Sequence, residues 1–338
     1  MTVSVIIPTH NYARFLGQAI DSIQRGAHAD WQCIVVDDGS TDGTAEIAAA
    51  LTAADKRISY LSQESAGPSA ARNAGLAVAA GDFVQFLDAD DLLGSHKLQH
   101  QLEVFGRHPE ADIVYGGVRY FVDDGTIDDQ RAAMSKWVEG SKPSAVTGAG
   151  EIALAALVDD NFMVVEAPLI RRTLLTKVGG FDPRIRRMED WELWLRCAMA
   201  GAYFVHDGSD DETAMPHVRV HRSSISQDQI SMHETAAQVR GSIDGTLPTA
   251  DLRRLNRRRI HEHWAVIGML EGMNGRLGLG MGRLLRAGFA ERRGKWLAWG
   301  VLMPATRIPI AKRAMGKIRT TLAQRRGEEV RDWQAHWP

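Results

Sequence analysis

Short apolar runs alternating with helical patterns constrain this chain most. "VSVII" (3–7) ends at Pro8, after which Phe15, Leu16, Ala19, Ile20 and Ile23 recur at helical spacing. "CIVV" (33–36) runs into "DDGSTDGT" and then an Ala-rich helical stretch over 44–54. "ISYL" (58–61) precedes a segment in which Pro68 suits a first helical turn. "FVQFL" (83–87) leads into a carboxylate cluster, and Ser95 is expected to cap a helix from 96 to about 107. "DIVYGG" (112–117) supplies a fifth strand. Strands alternating with helices imply βαβ units and a mostly parallel central sheet, flanked by helices and buried on both faces.

Beyond this, residues 121–160 read as irregular and loop-rich. Order returns at "APLIRRTLLTKVGGFDP" and at the helical "EDWELWLRCAMAG", where Trp191, Leu195 and Ala198 share a face. "AYFVHD" reads as a strand, "HVRVHRSSIS" as a strand and a polar loop, and everything from about 236 as Arg-rich helix. The expected division is a domain over 1–235 and a basic helical C-terminal extension over 236–338.

The 338 residues contain two cysteines, Cys33 and Cys197, which excludes a disulfide framework and a thiolate metal site. No apolar run approaches the ~20 residues of a membrane helix, and "TVSVII" opens without a signal-peptide pattern. A cytoplasmic location is the expectation. The net charge of −2 hides an asymmetry: residues 251–338 hold 19 Lys+Arg against 7 Asp+Glu, leaving 21 against 35 in residues 1–250. An acidic body thus carries a basic tail.

In open α/β sheets ligands bind outside the carboxyl ends of the strands. His10 and Asn11 follow the first strand, Asp37 and Asp38 the second, and Asp88, Asp90 and Asp91 the fourth. A single Asp after a strand is explained by turn chemistry; the set is not. Asp88-Ala89-Asp90 offers hard oxygen ligands suited to Mn2+ or Mg2+, ions held by one or two carboxylates plus substrate phosphates. Neither G-x-G-x-x-G after the first strand nor G-x-x-x-x-G-K-[ST] occurs, so dinucleotide and P-loop devices are excluded. Phosphates would rest on the metal and scattered cations, Arg72 first.

"SVIIPTHNYARFLGQAIDSI", "CIVVDDGSTDGT", "GPSAARNAGLAVAAGDFVQFLDADD", "GGFD" and "EDWELWLR" together resemble the family 2 glycosyltransferases, over residues 1 to about 230. The resemblance implies the GT-A (nucleotide-diphospho-sugar transferase) fold, with a nucleotide-binding half over 1–117 and an acceptor half over 118–235. It implies a nucleotide-diphosphate sugar donor, most simply a UDP-sugar, on the sheet edge just described. Pro8, Thr9, His10 and Asn11 would belong to the nucleotide-sugar site, Thr9 and His10 against the base, His10 as a stacking platform where a Tyr is frequent. Asp38 would accept from the uracil N–H, a donor that guanine also carries. Arg72 would sit near base and ribose, Asp88 and Ala89 at the ribose, and Asp90 on the metal, with Asp91 a helper. His221 would complete the metal shell or meet phosphate. Asp190 matches the catalytic base, which would deprotonate the acceptor hydroxyl in a single inverting displacement. At the start of a helix its bland role is capping. Glu189 is the fallback base and, with Trp191, a candidate acceptor contact; Trp191 is equally a core residue.

The acceptor implied is a glycan or lipid-linked saccharide. Residues 251–326 mix Arg clusters with "WLAWGVLMPATRIPI", which suits peripheral contact with an anionic membrane at its cytoplasmic face; packing on the catalytic domain is the alternative, and no motif supports a nucleic-acid partner. Two other functions compete: a sugar-nucleotide pyrophosphorylase, and an inactive scaffold subunit of a glycan-synthesis complex.

Overall fold

All seven residues of β1 (Val3–Thr9) are buried, which only a central strand covered on both faces allows. Val3, Val5 and Ile7 join the core with Leu16, Ala19 and Ile20 of α1 (Ala13–Gln24). On the other face Ile6 meets Gly75 of α3 (Pro68–Val78), where a Cβ would come within 2.5 Å of the Ile6 Cγ2. Pro68 opens that helix, as its fixed φ predicts.

The computed structural model describes residues 1–122, 145–220 and 228–302, and its chain divides into two compact units, Met1–Gln227 and one beginning at Asp228. In the first unit the remaining elements are β2 (Trp31–Asp37), α2 (Thr44–Ala54), β3 (Ile58–Ser62), β4 (Phe83–Phe86), β5 (Leu92–Leu93), α4 (Lys97–Arg107), β6 (Ile113–Tyr115), β7 (Arg119–Val122), β8 (Gly148–Ala149), α5 (Glu151–Asp159), β9 (Pro168–Arg171), α6 (Arg172–Val178), α7 (Glu189–Met199), β10 (Tyr203–His206) and β11 (Pro216–Val220). Among the described residues the main sheet has the order β3-β2-β1-β4-β9-β6-β10-β8, and β5-β11-β7 form a smaller one. Strand pairs β1–β2, β2–β3, β1–β4 and β6–β10 are parallel. The sheet departs from a wholly parallel one at β9, which runs antiparallel to both β4 and β6, and at β8, antiparallel to β10.

Ser95 does not cap α4. That helix starts after His96 with no side-chain cap, and the Ser95 Oγ lies 3.2 Å from the His96 Nδ1 instead. The C-terminal helical pattern begins earlier than expected, with α8 (Gln229–Ile243), whose Asp228 carboxylate accepts from the Ser231 N–H. It continues through α9 (Ala250–Met273), α10 (Leu277–Ala290) and α11 (Gly294–Leu302). Ala265, Leu284, Ala287 and Trp296 form the core of this second unit.

Candidate active site

Parallel register brings the predicted residues to one edge. Thr9 stands beside Asp37, and Ile6 beside Phe86, so His10, Asn11, Asp38 and Asp88 emerge together where β1, β2 and β4 end. Pro8 and Thr9 are the last residues of β1. The exposed His10 ring sits 2.7 Å from the Asp38 carbonyl through Nδ1. Asn11 takes a left-handed φ of 59°, and its Oδ1 accepts from the Thr41 N–H at 2.8 Å. Asp38 is only 5% exposed. Its Oδ1 accepts from Gln63 Nε2 at 2.7 Å and Ala66 N–H at 2.8 Å, its Oδ2 from Gly67 N–H at 2.8 Å and Ser65 Oγ at 3.4 Å. Burial opposes its charge, but these donors outweigh burial and hold its carboxyl below the usual range.

Beyond β4 the carboxylates separate by depth. The Asp88 side chain is 36% exposed, Ala89 is buried, Asp90 is half-buried and Asp91 is 4% exposed. Asp91 is the deepest of these carboxylates, and its Oδ1 accepts the Arg219 N–H at 2.6 Å. Arg219, from β11, also donates through Nε to the Asp90 carbonyl at 2.7 Å and through NH2 to Gln18 at 2.8 Å, between the rings of Phe15 and Phe121. Glu166, 3% exposed, joins the group from the other side of β4. Ligand atoms of Asp88, Asp91 and Glu166 all lie within 4.8 Å of one another. Burial first, then the neighbouring carboxylates, push Asp91 and Glu166 well above the ordinary carboxyl range. Burial and Asp90, Asp88 and Asp91 push the nearby Tyr12 hydroxyl up to about 12.

This set of hard oxygens fits Mn2+ or Mg2+. It differs from the expected pair: Asp90 is not in it, Asp91 and Glu166 are, and His221 lies outside the described residues. Glu166 escaped the sequence reading because it precedes its strand. β9 is antiparallel, with Leu169 opposite Gln85, so the residues before it arrive at the carboxyl end of β4.

Arg72 is not a free cation for phosphate. It is 2% exposed, and its NH2 donates to Asp88 Oδ1 and its NH1 to Glu189 Oε1, both at 2.7 Å. Asp190 is half-buried in the first turn of α7. It is not the N-cap: Met188 is, in a left-handed conformation with φ 57° and no side-chain cap bond. The Asp190 Oδ1 accepts the N–H of Trp191 at 2.7 Å. Burial, and then the charge of Glu189, push its carboxyl up to about 7, against the opposing effects of that N–H, Arg72 and Asn161. Trp191 presents no face to an acceptor: it is 1% exposed, and its indole N–H donates to the Leu157 carbonyl at 2.9 Å.

A family model described as glycosyl transferase family 2 matches residues 4–163. An uncharacterised glycosyltransferase of Haemophilus influenzae is 31% identical over 196 residues, which span 58% of this chain and 71% of the relative. The chain belongs to glycosyl transferase family 2. An uncharacterised family relative from Nostoc is 36% identical over 203 residues, 57% of this chain and 56% of its own. Two Rickettsia relatives, matched at 41% identity over 101 residues, are much longer, with 17% of their length covered. Among solved structures, TarS of S. aureus in complex with UDP-GlcNAc superposes with a TM-score of 0.60 at 18% identity, covering 98% of this chain and 93% of that one. The mannosyltransferase PcManGT from Pyrobaculum calidifontis, in complex with GDP-Man and Mn2+, gives 0.58 at 18%, covering 89% and 84%. At such identities these likenesses establish the GT-A glycosyltransferase fold.

Proposed function

We propose that this family 2 chain transfers a sugar, with inversion, from a nucleotide-diphosphate donor to a hydroxyl of a glycan or lipid-linked saccharide, in the synthesis of a polysaccharide or cell-surface glycan. The observation that carries this is Asp190, a half-buried carboxyl poised at about 7 beside the edge where the nucleotide-site residues converge. A general base works best with a proton affinity near the operating pH. Asp190 takes the acceptor proton on its carboxylate; Asp88 meets the ribose. A UDP-sugar is favoured, and the UDP-GlcNAc bound by TarS supports that choice. Asp38 would receive a ring N–H of the base by giving up its weakest contact, the 3.4 Å approach of Ser65. Guanine offers the same donor, and PcManGT binds GDP-Man.

Asp88, Asp91 and Glu166 would hold a divalent ion, which when bound supplies Lewis-acid neutralisation of the departing diphosphate. The second unit would meet anionic lipid. Leu279, Phe289 and Val301 of its helices are exposed, Arg286, Arg292 and Arg293 lie in the same stretch, and no described helix is long and apolar enough to cross a membrane.

Incubation with UDP-sugars, Mn2+ and candidate acceptors tests the reading. Slow UDP release from a UDP-sugar by the wild type, abolished in Asp190→Asn, which still binds UDP, is the expected result. Pyrophosphate-dependent formation of a sugar phosphate, or no turnover of any nucleotide sugar, would replace it with the pyrophosphorylase or the scaffold. Transfer should fall on the acid side of about pH 7, where Asp190 is protonated. Flotation with anionic vesicles, lost on deleting residues 251–338, tests the membrane contact.

A further inference from the structure

We propose that Arg72 and Glu189 form a positioning pair that locks the start of α7, and with it Asp190, to the carboxylate turn after β4, and that Glu189 is not itself the proton acceptor. The inference rests on the transfer reading above for its kinetic consequences, but not for its geometry.

A single buried guanidinium spans the two segments. Its two terminal nitrogens each grip a different carboxylate at 2.7 Å, and its Nε, buried, has no hydrogen-bond partner. The planar fork therefore sets the distance between Asp88 and Glu189, which the point charge of a lysine would not do. The rest of the same α3 face holds the approach to α7. Ser69 Oγ donates to the Ile185 carbonyl at 3.0 Å, and the Asn73 amide exchanges two 2.8 Å bonds with the backbone of Phe181. Ser69, Arg72 and Asn73 are spaced three and four apart, so they project from one side of the helix. One helix face thus stitches residues 181–189 to the sheet edge and ends on the residue before Asp190. The left-handed Met188 lies inside that stitched segment, a conformation that costs about 1–3 kcal/mol and persists where surroundings over-determine it.

Glu189 is spent in this arrangement. Its Oε1 belongs to Arg72 and its side chain is 13% exposed. Its charge still reaches Asp190. The groups around that carboxyl are Glu189 on its own helix, Arg72 from α3, Asn161 from the segment after α5, and the Tyr120 hydroxyl from β7. Glu189 is the one that favours the protonated acid by charge; Arg72 and Asn161 oppose it.

Three variants separate position, charge and base chemistry. Glu189→Gln keeps an oxygen for Arg72 and removes the charge, Glu189→Ala removes both, and Arg72→Lys removes the fork. Each is followed by kcat against pH with a UDP-sugar and, independently of transfer, by 13C NMR titration of the Asp190 carboxyl, assigned with Asp190→Asn. Protection of the buried Cys33 and Cys197 from thiol reagents reports that the fold is intact. For Glu189→Gln the plateau kcat should fall by roughly 3- to 10-fold and the Asp190 midpoint move about one pH unit lower, since a weaker base at an unchanged position loses modestly. Glu189→Ala should lose roughly 100-fold in kcat with UDP affinity changed far less, the mark of a misplaced group, whereas Arg72→Lys, which also loosens Asp88, should lose a similar factor in kcat and weaken UDP binding as well. Two results overturn the proposal: a Glu189→Gln loss as deep as that of Asp190→Asn at every pH, or an Asp190 midpoint that stays or rises in Glu189→Gln. If the wild type transfers no sugar, the proposed function fails while the titration still decides this pairing.

Discussion

Lys97, the first residue of α4, is fully buried beneath the site and hydrogen-bonded to Gln85 Oε1 at 2.5 Å and Gln101 Oε1 at 2.8 Å. Burial pushes its ammonium from 10.5 down to about 7, partly offset by Asp207 and Glu166. Between the folded and unfolded values the unfolded chain binds a proton that the native protein does not, so stability rises with pH across that window. The window opens near pH 7 and closes near 10.5. Its full height corresponds to about 5 kcal/mol, of which about 2 kcal/mol is gained between pH 7 and 9. Lys97→Met removes the titration and strands two amide oxygens, each at about 1–3 kcal/mol, a cost that does not change with pH. Native stability relative to Lys97→Met should therefore grow by about 2 kcal/mol from pH 7 to 9 and flatten below 7. Pulsed thiol labelling in urea reads this for the first unit alone, because the chain's two cysteines are both buried there. A difference between the two proteins that is the same at pH 7 and pH 9 would show that Lys97 is charged in the fold, and would refute the reasoning.

Arg219→Met should destabilise the first unit by roughly 3 kcal/mol, since it removes the buried guanidinium and the hydrogen bonds it donates to the Asp90 carbonyl and to Gln18; calorimetry with and without UDP and Mn2+ should show the ligand-induced rise in melting temperature shrinking as well. Asp38→Asn should cost about 1–3 kcal/mol at neutral pH, because an amide offers fewer acceptors to the backbone N–H groups of Ala66 and Gly67. Since the Asp38 carboxyl lies below its usual range, its contribution is present above about pH 4 and fades as pH falls through the folded value; urea titrations at pH 3 and 6 should show the variant approaching wild type only at the lower pH. Gly75→Ala should cost about 1–3 kcal/mol by pressing a methyl onto Ile6, and, by displacing α3, should lower transfer at temperatures where the protein remains folded.

What the sequence made visible is local. β1, β2, β3 and β4 are contiguous apolar runs, and their carboxyl ends carry polar residues in the same stretch of chain, so register alone brings Thr9, His10, Asp38 and Asp88 together. Pro68 and the periodic apolar face of α1 were equally legible. The short strands β5, β7 and β8 were not, since two to four residues carry no period of their own. Trp191 shows a subtler limit: one residue after Asp190, it turns a quarter-circle around the helix and into the core.

The pairings that make the edge chemical lie beyond any such reading, because each joins residues far apart in the chain through one side chain. Arg72 and Glu189, Asp91 and Arg219, Lys97 and Gln85 meet only once the sheet is closed. Reading them together resolves how so many carboxylates share one edge. Asp88 and Glu189 divide one guanidinium, while Asp91 takes a backbone N–H from Arg219. Glu166 reaches the group just ahead of the antiparallel β9, its own backbone carbonyl accepting from Gln85 at 2.9 Å, and Gln85 is the residue that holds Lys97. The acids are thus fixed from three elements, α3, β11 and β4, and can take different proton affinities at close range. Among the described residues the Asp190 carboxyl accepts from the N–H of the next residue, while both terminal nitrogens of Arg72 are taken by Asp88 and Glu189. A carboxyl poised near neutrality suits proton exchange during a reaction, which is why the base is proposed at Asp190 and not in the more crowded cluster after β4.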